Sequence, residues 1–279
     1  VTAKKLNIKV CHIEAGLRSR DMSMPEEINR LVTDRLSDLL LIPDRLSGEN
    51  LKNEGVPDYK ISFVGNIMID TLEANRGKAE ILSINDIIKD NIIEKQSHSQ
   101  DNIPFALLTM HRPSNVDIKD VFQPIIEFLS KEVIRDMKII WPIHPRTQSR
   151  LKEFLLWKNI MNHDRIILLH PLGYHEMLKL NMDASILITD SGGLQEESCV
   201  LGTTCLTLRW NTERPITLQE NGGSSVLVGN NVERLKEEYC IAKKFKKKPI
   251  RPELWDGNSA SRCVKSIVKY KDIRDLEGV

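Results

Sequence analysis

Residues 185–198 read SILITDSGGLQEES. The apolar, β-branched run Ile186, Leu187, Ile188, Thr189 ends in Asp190, Ser191, Gly192 and Gly193, and a helical pattern follows at once. Apolar residues at successive strand positions mean that both faces are covered, the habit of a parallel sheet between layers of helices. Glycines let a backbone come close to a ligand, and the unpaired N–H groups of a helix's first turn suit a phosphate. The same letters also fit a helix capped by Ser or Asp with no ligand, so the stretch needs support from elsewhere.

That support comes from runs of the same kind along the chain. NIKVCHI, DLLLIP, KISFVG, FALLTM, MKIIWPI, RIILLH, TTCLTL and SSVLVG each read as a strand, with helical patterns between them. Strands alternating with helices indicate βαβ units and parallel sheets. Three of the runs precede a polar, Asn/Lys/Ser-rich region at 71–103, which reads as a linker with short helices of its own; the others follow it and suffice for a doubly wound domain. The last stretch, DGNSASRCVKSIVKYKDIRDL, places Cys263, Ile267 and Tyr270 at helical intervals. The expected division is therefore 1–70, part of a first Rossmann-like lobe; 71–256, a second lobe with the linker at its start; and 257–279, a terminal helix.

Composition narrows the function. Forty basic against 39 acidic side chains leave +1, so no global field draws nucleic acid or an anionic membrane, and neither is expected as a partner. The Lys-rich KKFKKKPIRP at 243–252 reads as a solvated helix face leading into a Pro turn rather than a polyanion site. Cys11, Cys199, Cys205, Cys240 and Cys263 are odd in number and widely spaced, against a disulfide framework or zinc site and in keeping with a reducing cytoplasm. No apolar run approaches the roughly 18 residues of a membrane span.

Basic and His residues recur at the predicted strand ends. MHRPSN (110–115) follows FALLTM, HPRTQ (144–148) follows MKIIWPI, and NTERP (211–215) follows TTCLTL. His111, Arg112 and Arg214, converging near Ser191, Gly192 and Gly193, would make a diphosphate pocket. Glu197, one turn after Gly193 on the same helix face, could accept both hydroxyls of a ribose, while Glu196 would serve the positive end of the helix. In the first lobe, HIEAGLRSRDMSMPEEINR (12–30) sets Glu14 just past a strand and Glu26-Glu27 behind Pro25, at the start of a helix. Acidic residues are stabilised there without any function. Together with Glu14, however, the pair suggests acid–base work on a sugar.

HIEAGLR, PEEINR, HRPSN, DSGGLQEE, TERP and LWDGNSASR, in this order from about residue 8 to 268, resemble the motifs of the non-hydrolysing UDP-N-acetylglucosamine 2-epimerases. The resemblance implies an α/β, GT-B-like fold: two Rossmann-like lobes around a cleft, with the last helix returning to the first lobe. It implies reversible inversion at C2 of the sugar of UDP-GlcNAc to give UDP-ManNAc, by elimination of UDP to a 2-acetamidoglucal and its re-addition, for cell-surface polysaccharide biosynthesis. Neither metal nor nicotinamide is implied, and a cytoplasmic homodimer is the family's habit.

Carried over by motif, Glu14 and Glu26 would transfer protons, with Glu27 the lesser member of its pair. His111 would stabilise the departing UDP beside Ser191, Gly193 and Arg214, and Glu197 would hold the ribose, while Asp190, Gln195 and Glu213 organise their surroundings. The family also carries a G-T-R-P-E loop and a catalytic Asp in a G-D-T segment, both upstream of where this chain starts. Roughly 100 further residues are expected there on domain-size grounds, which leaves the first lobe incomplete and the chain as written expected to be inactive. A hydrolysing epimerase, a GT-B glycosyltransferase and a non-catalytic nucleotide-sugar binder remain as alternatives.

Overall fold

The structure, a computed structural model, describes residues 1–93, 103–245 and 248–276. Its strands are β1 (Cys11–Ile13), β2 (Leu39–Ile42), β3 (Ile61–Phe63), β4 (Phe105–Thr109), β5 (Lys138–Pro142), β6 (Ile166–Leu169), β7 (Ile186–Thr189), β8 (Thr204–Thr207) and β9 (Ser225–Leu227). Each falls inside one of the apolar runs. By contacts the chain forms two units: Val1–Ala74, Asn211–Ile216 and Arg251–Val279 make the first, Asn75–Trp210 and Thr217–Ile250 the second.

In the second unit six parallel strands pair in the order β6-β5-β4-β7-β8-β9. Side chains alternate between the two faces of each strand. Ala106 and Leu108 of β4 and Ile186 and Ile188 of β7 therefore enter one core with Phe122, Ile125 and Trp141, while Phe105, Leu107 and Leu187 enter the other with Ile140 and Leu180. Two-sided burial is why these strands carry no polar alternation.

The region expected to be a linker with short helices of its own holds two helices among its described residues. Helix Ile67–Glu80 runs through the Ala74–Asn75 boundary, and helix Ile84–Asn91 packs Ile87 and Ile88 into the second core. Residues 94–102 of that region, with 246 and 247 of the Lys-rich tract, lie outside the described residues. Lys243, at the start of that tract, pairs with Asp136 at 2.7 Å.

The first unit holds a parallel sheet in the order β1-β2-β3. Its middle strand is buried at every position. Helix Ser259–Leu276 covers one face, where Cys263 joins Leu39, Leu41 and Val64, with Tyr270 packed against them. Ile267, grouped with Cys263 and Tyr270 by helical spacing, is instead 43% exposed: the face turned to the sheet runs from Cys263 toward Ser266, whose hydroxyl lies 2.8 Å from that of Ser62 in β3, and Ile267 lies about 40° to the other side of Cys263.

The approach to that helix is held by specific bonds. Trp255, 1% exposed, donates its indole N–H to the Pro43 carbonyl at 3.0 Å. Asp70 accepts the Ser259 and Ala260 N–H groups at 3.0 and 2.6 Å, which satisfies donors at the helix start. Gly65, at φ +87°, lets the chain pass so close that a Cβ would stand 2.2 Å from the Leu254 carbonyl oxygen. These contacts are the structural use of LWDGNSASR.

Among the described residues no helix is long and apolar enough to cross a membrane.

Candidate functional site

In the second unit the chain leaves β4 toward β5 and β6 on one side and returns to β7, then β8 and β9, on the other. The strand order reverses between β4 and β7, and ligands of open α/β sheets bind at the carboxyl ends of strands at such a point. Asp190 stands there at the end of β7, with no exposed surface. Its Oδ2 accepts hydrogen bonds from the backbone N–H groups of His111 and Arg112 at 2.9 and 2.8 Å and from the Asn115 amide at 3.1 Å. Arg112 Nε donates to the Asp190 carbonyl at 2.8 Å. One buried carboxylate thus organises the turn after β4.

His111 Nδ1 lies 2.9 Å from Asp190 Oδ1, and 44% of the His111 side chain remains exposed. The bond to Asp190 raises the imidazole pKa above its ordinary value against the opposing effect of burial. Burial alone would raise the Asp190 carboxyl; His111 and the two backbone donors overcome it and hold Asp190 below the usual carboxylate range. With Nδ1 engaged, Nε2 is the nitrogen left to serve a ligand. His111 lines a cavity of about 470 Å³ with Ile143, Leu172 and Met177 among its apolar walls. The His144 ring, at the end of β5, lies 5.4 Å from that of His111.

Helix Gly192–Leu201 starts next to Asp190. Ser191 occupies its N-cap without capping through its hydroxyl, and its N–H donates to Thr189 Oγ1 at 3.0 Å. A Cβ on Gly193 would meet nothing within 4 Å, so packing does not require glycine there. Gly192, beside it, is buried.

Glu197 is 6% exposed, and burial pushes its carboxyl pKa up while bonds from Tyr174 and Asn181 oppose the shift. Glu196, expected to serve the helix dipole, is 1% exposed and lies beyond a first turn that holds no acidic residue. Tight packing of this helix in the unit, which buries it from Gln195 to Leu201, sets the environment of both.

In the first unit Glu14 follows β1 with φ +70°, a left-handed conformation that costs a residue other than glycine free energy and gathers at functional sites. Arg214 donates from its second terminal nitrogen to Glu14 Oε1 at 3.0 Å and from the other to Glu213. The strand-end pattern had grouped Arg214 with the second lobe; by contacts Asn211–Ile216 belongs to the first unit, because this excursion from β8 engages Glu14 and, through Asn211, Asp21.

Glu26 and Glu27 open helix Pro25–Leu36, and their environments differ. Glu26 is exposed. Glu27 is 1% exposed and accepts from Ser19 N–H, Ser19 Oγ, Arg20 N–H and Arg30 at 2.9, 3.0, 2.9 and 2.8 Å. Burial would raise its pKa, but these four bonds hold it lowered.

The structure therefore brings together His111, Arg112 and Asp190 in one unit, and Glu14, Arg214 and Glu213 in the other. Sequence reasoning missed Asn115, which donates to Asp190; Tyr174, which bonds Glu197; and Asp34, which holds His12, Gly16 and Arg18 around Glu14. Only Asp34, seven residues after Glu27 on the same helix, carried a usable spacing signal. Among the described residues no group of three or more His, Cys, Asp or Glu side chains is placed to hold a metal ion.

Residues 1–268 match the family model described as UDP-N-acetylglucosamine 2-epimerase. The chain is 40% identical over 272 residues to a protein of Methanocaldococcus jannaschii named UDP-N-acetylglucosamine 2-epimerase, covering 97% of this chain and 72% of that one. A protein of the same name from Methanococcus maripaludis is also 40% identical, over 275 residues, with the same shares. The crystal structure of the M. jannaschii UDP-GlcNAc 2-epimerase in complex with UDP-GlcNAc and UDP superposes with a TM-score of 0.82 at 40% identity, covering 96% of this chain and 71% of that chain. With the family model spanning both sheets and the relatives matching nearly the whole chain, the protein belongs to the UDP-N-acetylglucosamine 2-epimerase family.

Proposed function

We propose that the protein containing this chain interconverts UDP-GlcNAc and UDP-ManNAc through a 2-acetamidoglucal. A base takes the C2 proton, the bond from C1 to the UDP oxygen breaks with its electron pair leaving on UDP, and C1=C2 forms. Re-addition of UDP with a proton delivered to the opposite face of C2 completes the inversion. Two differently placed proton-transfer groups are needed, and Glu14 and Glu26 are assigned to them. His111 neutralises charge on the departing diphosphate, with Arg112, Arg214 and the Ser191, Gly192 and Gly193 helix start as further donors. Glu197 accepts the ribose hydroxyls. No metal or nicotinamide takes part. A cytoplasmic homodimer, the family's habit, goes with the same reading.

The observation that carries this is the grip of Asp190 on the His111 and Arg112 backbone and on the His111 ring, beside a helix start with room at Gly193. It builds an anion site from pre-oriented donors where the fold class binds nucleotides. The test is incubation of the protein, with the upstream segment expected from the sequence restored, with UDP-GlcNAc in D2O, followed by NMR. The expected result is deuterium at C2 and a UDP-ManNAc signal; absence of both removes the proposal, and free ManNAc with UDP points to the hydrolysing reaction instead.

A further inference from the structure

Helix Pro25–Leu36 carries two buried carboxylates, Glu27 and Asp34, 1% and 2% exposed. Seven residues apart, they share a face of the helix, about 10 Å from each other along its axis. Both point their acceptors at the backbone that begins at Glu14. Asp34 accepts from Gly16 N–H at 3.0 Å and from Arg18 at 2.6 Å, and its other oxygen lies 2.5 Å from His12 Nδ1. Arg18 in turn donates twice, at 2.7 Å, to Glu54. Glu27 takes the next N–H groups, those of Ser19 and Arg20.

The held segment is unusual. Glu14, Gly16 and Arg20 all have positive φ, at 70°, 83° and 59°. At Gly16 a Cβ would sit 2.4 Å from the Ser47 carbonyl oxygen. A left-handed backbone at two non-glycine residues persists only where its surroundings over-determine it, and the two carboxylates supply that constraint. Asp34 grips the residues on both sides of Glu14, namely His12 and Gly16, without touching Glu14.

We propose that Asp34 is a positioning residue that fixes the Glu14 carboxylate by clamping His12, Gly16 and Arg18, with Glu27 holding the far end of the same loop. This rests on the proton-transfer role of Glu14 given above. Small displacements of an acid or base are expensive in rate, so the clamp's effect should appear in turnover rather than in substrate affinity.

The test is a double-mutant cycle of Glu14→Gln and Asp34→Asn, with kcat, KM for UDP-GlcNAc and amide exchange at Gly16 measured for each protein. Asp34→Asn is expected to lower kcat about 100-fold with KM changed less than about 3-fold, and to speed Gly16 exchange. In the Glu14→Gln background it should cost almost nothing further, since Asp34 acts through Glu14. A loss that adds fully to that of Glu14→Gln, as general loosening would give, overturns the proposal; so does an unchanged kcat. Should Asp34→Asn fail to fold, His12→Asn removes one of the three clamped groups and must show the same non-additivity. Wild-type turnover in Glu14→Gln alone would remove the role of Glu14 itself, a failure recognisable from that single variant.

Discussion

Arg214 donates a 3.0 Å hydrogen bond to Glu14, two hundred positions earlier in the chain. The pair forms within one unit, with the Arg214 side chain 14% and the Glu14 side chain 36% exposed, so the contact is partly shielded from screening. It gives Glu14 a fixed cationic neighbour on a backbone already held in a left-handed turn.

Removing that neighbour should damage turnover. Arg214→Ala is expected to lower kcat/KM for UDP-GlcNAc about 100-fold, and Arg214→Lys to restore only part of it, because a lysine cannot reproduce the two-armed contact with Glu14 and Glu213. Steady-state kinetics with both variants check this; a fully active Arg214→Ala would exclude any role near the reacting centre.

The His111 and Asp190 pair sets a pH dependence with a definite sign. His111 has a folded pKa above its reference value of 6.5, so its contribution to stability is complete below 6.5 and is lost as pH rises through the raised value. Asp190 has a folded pKa below 3.8; its contribution is present above 3.8 and is lost as pH falls through the lowered value. Asp190→Asn should shift the His111 titration to lower pH, as read from the imidazole proton by NMR. An unmoved midpoint would mean that the pair is not coupled.

Glu27 offers a stability test with no appeal to chemistry. Glu27→Ala leaves Arg30 and two backbone N–H groups without their buried acceptor, and should cost about 3 kcal/mol or more in urea unfolding. The carboxylate's folded pKa is lowered from 4.5, so this stabilisation is present above pH 4.5 and disappears as pH falls through the lowered value. A loss under about 0.5 kcal/mol, typical of surface changes, would contradict the buried geometry.

Gly193 separates packing from binding. A methyl group there meets no neighbour within 4 Å, and Ala is favoured over Gly inside a helix by about 1 kcal/mol. Gly193→Ala should therefore unfold at a temperature no lower than wild type while binding UDP at least about tenfold more weakly by calorimetry, since the added group occupies a proposed anion approach. Unchanged UDP affinity would move the phosphate site away from this helix start.

Much of the fold was legible because its signals are local. Each strand among the described residues lies inside an apolar run, and burial on both faces writes that run directly into the sequence. The helix start at Ser191 and the Pro25 opening of the next acidic helix are likewise short-range signatures. Ile267 shows the limit: helical spacing placed it with Cys263, but spacing does not say to which side of Cys263 the covered face extends, and it extends toward Ser266, which bonds Ser62, and Tyr270.

The sequence by itself determined the strands, the helix starts and the residue types able to bind an anion or move a proton, because each of these depends on neighbours a few positions apart. Only the tertiary structure decided that Arg214 joins Glu14, that Asp190 draws His111 and Arg112 together, and that Glu27 and Asp34 face the loop rather than solvent. Those choices depend on which distant backbone donors a buried carboxylate meets. Burial makes an unpaired charge so costly that the fold must supply partners, and nothing in the local pattern names them.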